Sequence, residues 1–381
     1  MIRKTGFLYF ILLFSLIMTN PDIFASVTRT RTMGDVGMVI KDQSNYWLFP
    51  AIIAYQPNQV IFEWGGRSEL FYYSSANYGF DRWAGGIFNF GKSNQKTFGA
   101  FWSEGLKSNP FELFSISGVA TDQKFDLFYG KKTRSGALGL HLNHSADMTK
   151  VQRTRINESK TSVTQTQFRF GISRSNQDLS IGYRLSTFRT EGNNITGHTF
   201  DLQNRWFKPI NERLTLVPLL ELKLGLENKS STAKGSYWQI WTGAGLNYQI
   251  DEGDLLVFGI SVLASGKSLK IESSGTQSKT SIFELPYVFG GIESALFSWL
   301  RLRFGFQKAL RRISQNNEFN STSQDNANTE SPFAVTAGIG LQYKRLTLDL
   351  SWDNNFLKRG PYFLSGVKGD IFNLISLSYI F

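Results

Sequence analysis

Hydrolysis through a covalent intermediate needs a hydroxyl or thiol beside a histidine that takes its proton. The sequence has no cysteine, and its three histidines are His141, His144 and His198. Two of them fall in one short run with other candidate residues, His141-Leu142-Asn143-His144-Ser145. In an extended chain His141 and Asn143 share a face. His144 and Ser145 are adjacent, so they point to opposite faces and form no dyad within the strand. No Gly-x-Ser-x-Gly turn, paired-carboxylate motif or metal-ligand spacing accompanies them. Gly85-Gly86 and Gly290-Gly291 lie inside strand-like runs, where glycine relieves crowding at bends, and are not phosphate loops. The sequence is therefore read as having no catalytic residue, no metal site and no cofactor, with the histidines as ordinary wall or loop residues.

The remaining chemistry is carried by charge at alternate positions. Asp126, Arg169, Arg184, Asp201, Arg205, Glu221, Lys223, Glu284, Arg301, Arg303 and Asp349 each fall on the polar parity of an alternating segment. The clearest segment is 213–226. There Leu214, Leu216, Pro218, Leu220, Leu222, Leu224 and Leu226 share one parity, and Glu221 and Lys223 the other. A lysine or arginine facing lipid near the midplane costs about 2–4 kcal/mol, so the parity sends all of these charges into a lumen. Neighbouring segments would set Asp201 and Arg205 beside Glu221 and Lys223, and Glu284 beside Arg301 and Arg303. Such a set is either a polar passage or an ion-paired interior that holds a barrel closed.

The elements that must position these residues are strands. From residue 58 the chain breaks into alternating segments at 58–65, 82–91, 96–103, 124–130, 136–145, 163–173, 178–189, 197–207, 213–226, 236–250, 254–264, 280–292, 298–308, 332–343, 345–353 and 371–381. These are about sixteen, an even number as a closed single-chain barrel requires. Every second connection is short: 92–95, 131–135, 174–177, 208–212, 251–253, 293–297 and 343–345. The others include 146–162, 265–279, 309–331 and 354–370, which are long and polar. Short turns on one side and long loops on the other are the mark of a transmembrane barrel. The tryptophans give a second indication. Trp64, Trp102, Trp352, Trp83, Trp238, Trp241, Trp206 and Trp299 fall at strand ends, where an interfacial belt would use them, and Trp47 has no place in that scheme.

Composition agrees. Aromatic residues make up 15%, there are 35 glycines, and mean hydropathy is only -0.20, as expected if every second strand residue is apolar. The net charge of +11 is scattered through strands and loops, with no nucleic-acid-binding motif. Its expected counterions are outer-membrane lipid and lipopolysaccharide phosphates. Residues 1–25 read as a signal peptide. Arg3 and Lys4 form the basic start, residues 7–18 the apolar core, and cleavage follows Ala25. The mature chain then divides into a segment at 26–57 and the barrel at 58–381.

Two stretches carry a resemblance. The chain ends with Ile375, Leu377, Tyr379 and Phe381 on one parity and Ser376 and Ser378 on the other. This resembles the C-terminal β-signal of bacterial outer-membrane barrels, which implies recognition by the barrel-assembly machinery. Residues 30–57 contain Gly34, Gly37, Asp42 and Phe49-Pro50-Ala51. They resemble the N-terminal region of the FadL-type transporter and PorV-like barrel group, with Phe49 where that group usually has Asn. In the FadL-type transporters this region plugs the barrel; the alternative is an extension capping the periplasmic rim. The resemblance favours about fourteen strands. It implies an outer-membrane channel or transporter for small hydrophobic molecules. The competing expectation is a docking scaffold for secreted proteins or a structural barrel.

Overall fold

The computed structural model describes residues 26–65, 82–91, 95–108, 111–114, 121–154, 157–190, 193–229, 233–251, 253–271, 276–319, 322–352, 356–357, 360, 366 and 371–381. The expected signal peptide and most of the expected loop at 354–370 lie outside them.

Strands form where apolar and polar residues alternate. In order they are β1 (Gln59–Gly65), β2 (Arg82–Phe90), β3 (Lys96–Ser108), β4 (Thr121–Thr133), β5 (Gly136–Thr154), β6 (Asn157–Ser173), β7 (Gln177–Thr190), β8 (Asn193–Trp206) and β9 (Lys208–Pro209). They continue with β10 (Leu214–Lys229), β11 (Ala233–Asp251), β12 (Asp254–Ile271), β13 (Thr276–Phe297), β14 (Leu300–Phe319), β15 (Thr322–Glu330), β16 (Phe333–Tyr343), β17 (Leu346–Trp352) and β18 (Phe372–Ile380). Each pairs antiparallel with its neighbours, and β1 closes the ring by pairing with both β2 and β18: Val60 lies opposite Gly86 on one side and Tyr379 on the other. The two-residue β9 continues β8 along β10, and β15 and β16 both pair with β14. Among the described residues the wall is thus a closed barrel of 16 strands, not fourteen.

The two faces follow the alternation. On β10, Leu224 and Leu226 are exposed outward while Val217, Leu219 and Glu221 are buried inward. On β18, Ser376 and Ser378 are buried and Tyr379 is exposed. Phe62, Trp64, Trp102, Phe125, Phe168 and Phe200 continue the outward apolar band. The connections expected to be short are short where they are described, although β13 runs through 293–297 and 92–94 and 252 lie outside the described residues; three of the expected long loops do not hold. A tilted strand crosses a membrane in about 9–11 residues. Here β11 has 19, β13 has 22 and β14 has 20. The stretches at 146–162, 265–279 and 309–331 are largely the paired upper ends of hairpins. Their residues are mostly polar, with apolar ones such as Leu269, Ile271 and Ile313 scattered among them, so no regular alternation marks them in the sequence.

The tryptophans are also corrected in part. Trp64, Trp102 and Trp238 are exposed on the outside, whereas Trp83 and Trp241 are buried inside. Their indole N–H groups donate to Glu63 Oε1 at 3.1 Å and Ser261 Oγ at 2.7 Å, partners that the lumen supplies.

Candidate functional site: the plugged lumen

Residues 26–56 fold into short pieces. The helix α1 (Val27–Thr32) is followed by 3-10 helices at Val36–Met38, Gln43–Trp47 and Pro50–Tyr55. Polar caps start two of them: Ser26 Oγ accepts from Arg29 N at 3.2 Å, and Asp42 Oδ1 accepts from Ser44 N at 2.8 Å. Pro50 opens the last, where its missing N–H costs nothing. Gly34 ends the first. Its φ of +80° suits glycine, and a Cβ there would meet Gly290 O at 2.6 Å and Phe306 O at 2.8 Å. Gly37 has no positive φ; its carbonyl accepts from Arg205.

This segment touches strands from every sector of the ring. Thr28 Oγ1 donates to Glu63 on β1 at 3.2 Å, Gln307 Nε2 on β14 to Gly34 O at 2.8 Å, and Asn247 Nδ2 on β11 to Val39 O at 2.7 Å. Pro50 and Ala51 lie against Gly139 on β5, and Ile53 against Gly99 on β3. A segment in contact with the whole circumference of a closed ring lies within it. Its contacts with the 174–175 turn and the strand ends next to the short connections put it toward the short-turn end.

An alternating chain of charges bolts it to the wall. Ser26 Oγ donates to Asp349 Oδ2 at 2.6 Å, and Arg303 pairs with Asp349 Oδ1 at 2.5 Å and Glu293 Oε2 at 2.6 Å. Arg29 then forks onto both oxygens of Glu293 at 2.8 Å and reaches Asp42 Oδ2 at 2.6 Å. Burial opposes the charge of Arg29, but Glu293 and Asp42 outweigh it and raise the guanidinium pKa above its ordinary value. Arg301 is 3.6 Å from Glu293. Asp42 pairs with Arg29 of the plug itself rather than with Arg301, and Lys41 donates to Ser175 O rather than pairing with Glu284. The expected grouping of Glu284 with Arg301 and Arg303 also fails. The register sets Glu284 opposite Arg311, 2.8 Å away, and gives Arg303 to Glu293.

Two more arginines clamp plug carbonyls. Arg205 is fully buried between Phe49 and Phe207. Its Nε donates to Asp178 at 2.9 Å and its Nη1 to the carbonyls of Gly37, Met38 and Ile40 at 2.9, 3.2 and 2.8 Å. Arg169 Nη1 donates to Leu48 O at 3.2 Å, and its Nη2 lies 2.7 Å from Asp201 Oδ2. Asp126 holds His141 Nε2 and Asn143 Nδ2 at 2.7 Å and Lys124 at 3.2 Å. Arg184 donates to Thr199 at 3.3 Å and Tyr237 at 3.4 Å, and Gln203 to Glu221 at 3.5 Å. Glu293 escapes the sequence reading because the alternating segment ends at 292 while β13 continues to Phe297; Asp178 opens the segment 178–189, but nothing in the sequence singles it out.

A second inward element was also missed. Residues 111–114, between β3 and β4, reach across to β10–β12. Glu112 Oε1 pairs with Lys223 at 2.6 Å and Oε2 with Lys267 at 3.3 Å. Glu227 accepts from the backbone N–H of Glu112 at 2.6 Å and Leu113 at 3.0 Å. Phe111 and Phe114 pack with Val163, Phe188 and Ile195. Burial works against ionisation of Glu112, but Lys223, Arg184 and Lys267 win and hold its carboxyl down at about 2. A lone acidic residue among Asn, Pro and Phe gives no periodic signal, so only its reach in three dimensions shows its partners.

No protein-family model matches the sequence, and no curated protein matches it. Among solved structures the chain has low-similarity neighbours. CdiB from Escherichia coli has a TM-score of 0.41 at 10% identity, covering 86% of this chain and 63% of that one, so the chain spans less than two thirds of CdiB. The toluene transporter TbuX of Ralstonia pickettii gives 0.36 at 10% identity, with 93% and 98% covered. The ferric-catecholate import receptor Fiu from E. coli K12 gives 0.38 at 8% identity, with 86% and 82% covered. At these values the likeness carries no argument about this chain.

Proposed function

We propose that this chain is an integral outer-membrane barrel that passes small hydrophobic molecules, with residues 26–57 as the plug that keeps the lumen shut between passages. The observation that carries this reading is a pair of apolar clusters inside the ring. One surrounds the plug and includes Tyr46, Trp47, Trp83, Phe101 and Phe128; the other gathers Phe111, Phe114, Val163, Phe188 and Ile195 under the long connections. An uncharged solute finds contacts at both, while Arg303, Glu293, Arg205 and Asp178 are engaged with each other and with the plug. The resemblance of Asp42 and Phe49-Pro50-Ala51 to the FadL-type transporters agrees with it. In the same reading a signal peptide at 1–25 exports the chain, the assembly machinery reads Ile375, Leu377, Tyr379 and Phe381, and lipopolysaccharide phosphates neutralise the basic surface.

Uptake of a labelled aromatic hydrocarbon by intact cells tests it, because the lipopolysaccharide leaflet slows such solutes. Cells carrying the barrel should take it up faster than cells without it. A second reading, a PorV-like docking scaffold, is favoured by the plug's contact with the whole ring and by hairpins standing beyond membrane-crossing length. Equal uptake with and without the barrel would put that reading first.

A further inference from the structure

A cavity of about 670 Å³ opens at the short-turn end, between the plug and the turns joining β4 to β5 and β6 to β7. This is within the roughly 300–1,000 Å³ typical of small-molecule sites. Its charged and apolar lining is Lys41, Asp42, Ile52, Tyr55, Arg134 and Arg174. Ala137 lies opposite Ser173 in the sheet, so the turns carrying Arg134 and Arg174 stand side by side. Among the described residues neither guanidinium has a carboxylate partner. Among the described residues Lys41 Nζ donates only to main-chain oxygens, Ser175 O at 2.7 Å and Arg174 O at 3.5 Å. The one carboxylate of the lining, Asp42, is turned away: Oδ2 meets Arg29 at 2.6 Å, and Oδ1 takes Ser44 N at 2.8 Å and Ser44 Oγ at 2.6 Å.

Like charges gathered at a concave, partly apolar surface repel one another and focus a positive potential. An anion placed among them relieves that repulsion. Tyr55, half exposed, and Ile52 add an apolar wall beside the cations. We infer that this cavity binds a small organic anion, one or two carboxylate, sulfonate or phosphate groups on an apolar body, entering from the short-turn side. The site joins plug to wall, since Lys41 belongs to the plug and its acceptors to the β6–β7 turn. An anion that draws Lys41 off Ser175 O therefore loosens one of the plug's attachments at that end. The inference does not depend on what crosses the lumen.

The test is titration calorimetry on the purified, detergent-solubilised chain with 1,5-naphthalenedisulfonate, a dianion too polar to enter micelles. It should bind, and sulfate and a naphthalene diammonium cation should bind far more weakly. Arg134→Gln combined with Arg174→Gln should weaken binding about ten-fold, with the heat-modifiable shift of the folded barrel unchanged. Arg134→Gln alone should show a smaller loss in the same direction, which keeps the test decisive if the double variant assembles poorly. Absence of binding by the parent, or equal affinity in the folded variants, overturns the inference. Sulfate binding as tightly as the disulfonate overturns the organic class of the ligand.

Discussion

Gly305 on β14 packs its backbone directly against the plug, and filling its Cβ position should evict the plug. A Cβ at this position would collide with Gly34 N and Met33 C and stand 2.6 Å from Thr336 Oγ1. The strand cannot retreat, because Gly305 is held in register between Gly291 and Thr336. Gly305→Val therefore moves the plug. The displacement strains three hydrogen bonds: Gly34 N to Thr336 Oγ1 at 3.0 Å, Thr336 Oγ1 to Thr32 O at 2.9 Å, and Gln307 Nε2 to Gly34 O at 2.8 Å. At a net value of roughly 0.5–1.5 kcal/mol each, they sum to about 1.5–4.5 kcal/mol against the closed state. Since about 1.4 kcal/mol is a factor of ten, the open-to-closed ratio should rise about ten- to a thousand-fold. Leak conductance in planar bilayers reads this ratio, and Phe304→Leu, on the outward face, is the control. A folded Gly305→Val barrel with the leak of the parent would refute the placement of the plug.

Other outcomes follow from the same geometry. Arg205→Ala leaves Asp178 buried without its cation and three plug carbonyls without a donor; it should cost about 3–5 kcal/mol in urea unfolding, and Arg205→Met less. Glu112, held near 2 against an ordinary 4.5, stabilises loop docking fully above the ordinary value and loses that contribution as pH falls toward about 2. A spin label attached to a Leu113→Cys variant should therefore gain mobility on acidification between those values, and a flat profile would contradict the latch. A cysteine at Gln324 should react with an impermeant reagent on intact cells and one at Asp251 should not; the reverse pattern would invert the barrel. Replacing Tyr379 and Phe381 by serine should impair membrane insertion without blocking export, and a normal yield of heat-modifiable barrel would argue against the terminal assembly signal.

The wall was legible because burial on one side only writes a period of two into the chain. β10 shows it plainly, with leucines outward and Val217, Leu219 and Glu221 inward. The parity of Arg205, Arg303, Glu221 and Asp349 was legible for the same reason, but their partners were not. Which residue stands opposite Arg303 depends on the stagger of β13 against β14, and a bulge between Glu284 and Tyr287 shifts that register. The outer ends of β5, β6 and β12–β14, and the whole of β15, look like loops in the sequence because a mostly polar hairpin has no apolar parity to show. The plug gave only punctuation, since its short helices owe their shape to contacts such as Gly34 against Gly290 and Arg205 against the carbonyls of 37, 38 and 40. Trp83 and Trp241 misled because a tryptophan near a strand end suits either a lipid interface or a lumen with a hydrogen-bond acceptor.

In the proposed function residues 26–57 close an otherwise passable lumen. Single-channel recording tests it by comparing the mature chain with one that begins at Asn58. Glu293 and Asp349 keep Arg303, and Arg205 keeps Asp178, so the shortened wall retains its internal pairs and should fold. The mature chain should conduct weakly and the shortened chain clearly, in steps of a single size. Equal, negligible conductance from both, with both barrels folded, would contradict the claim.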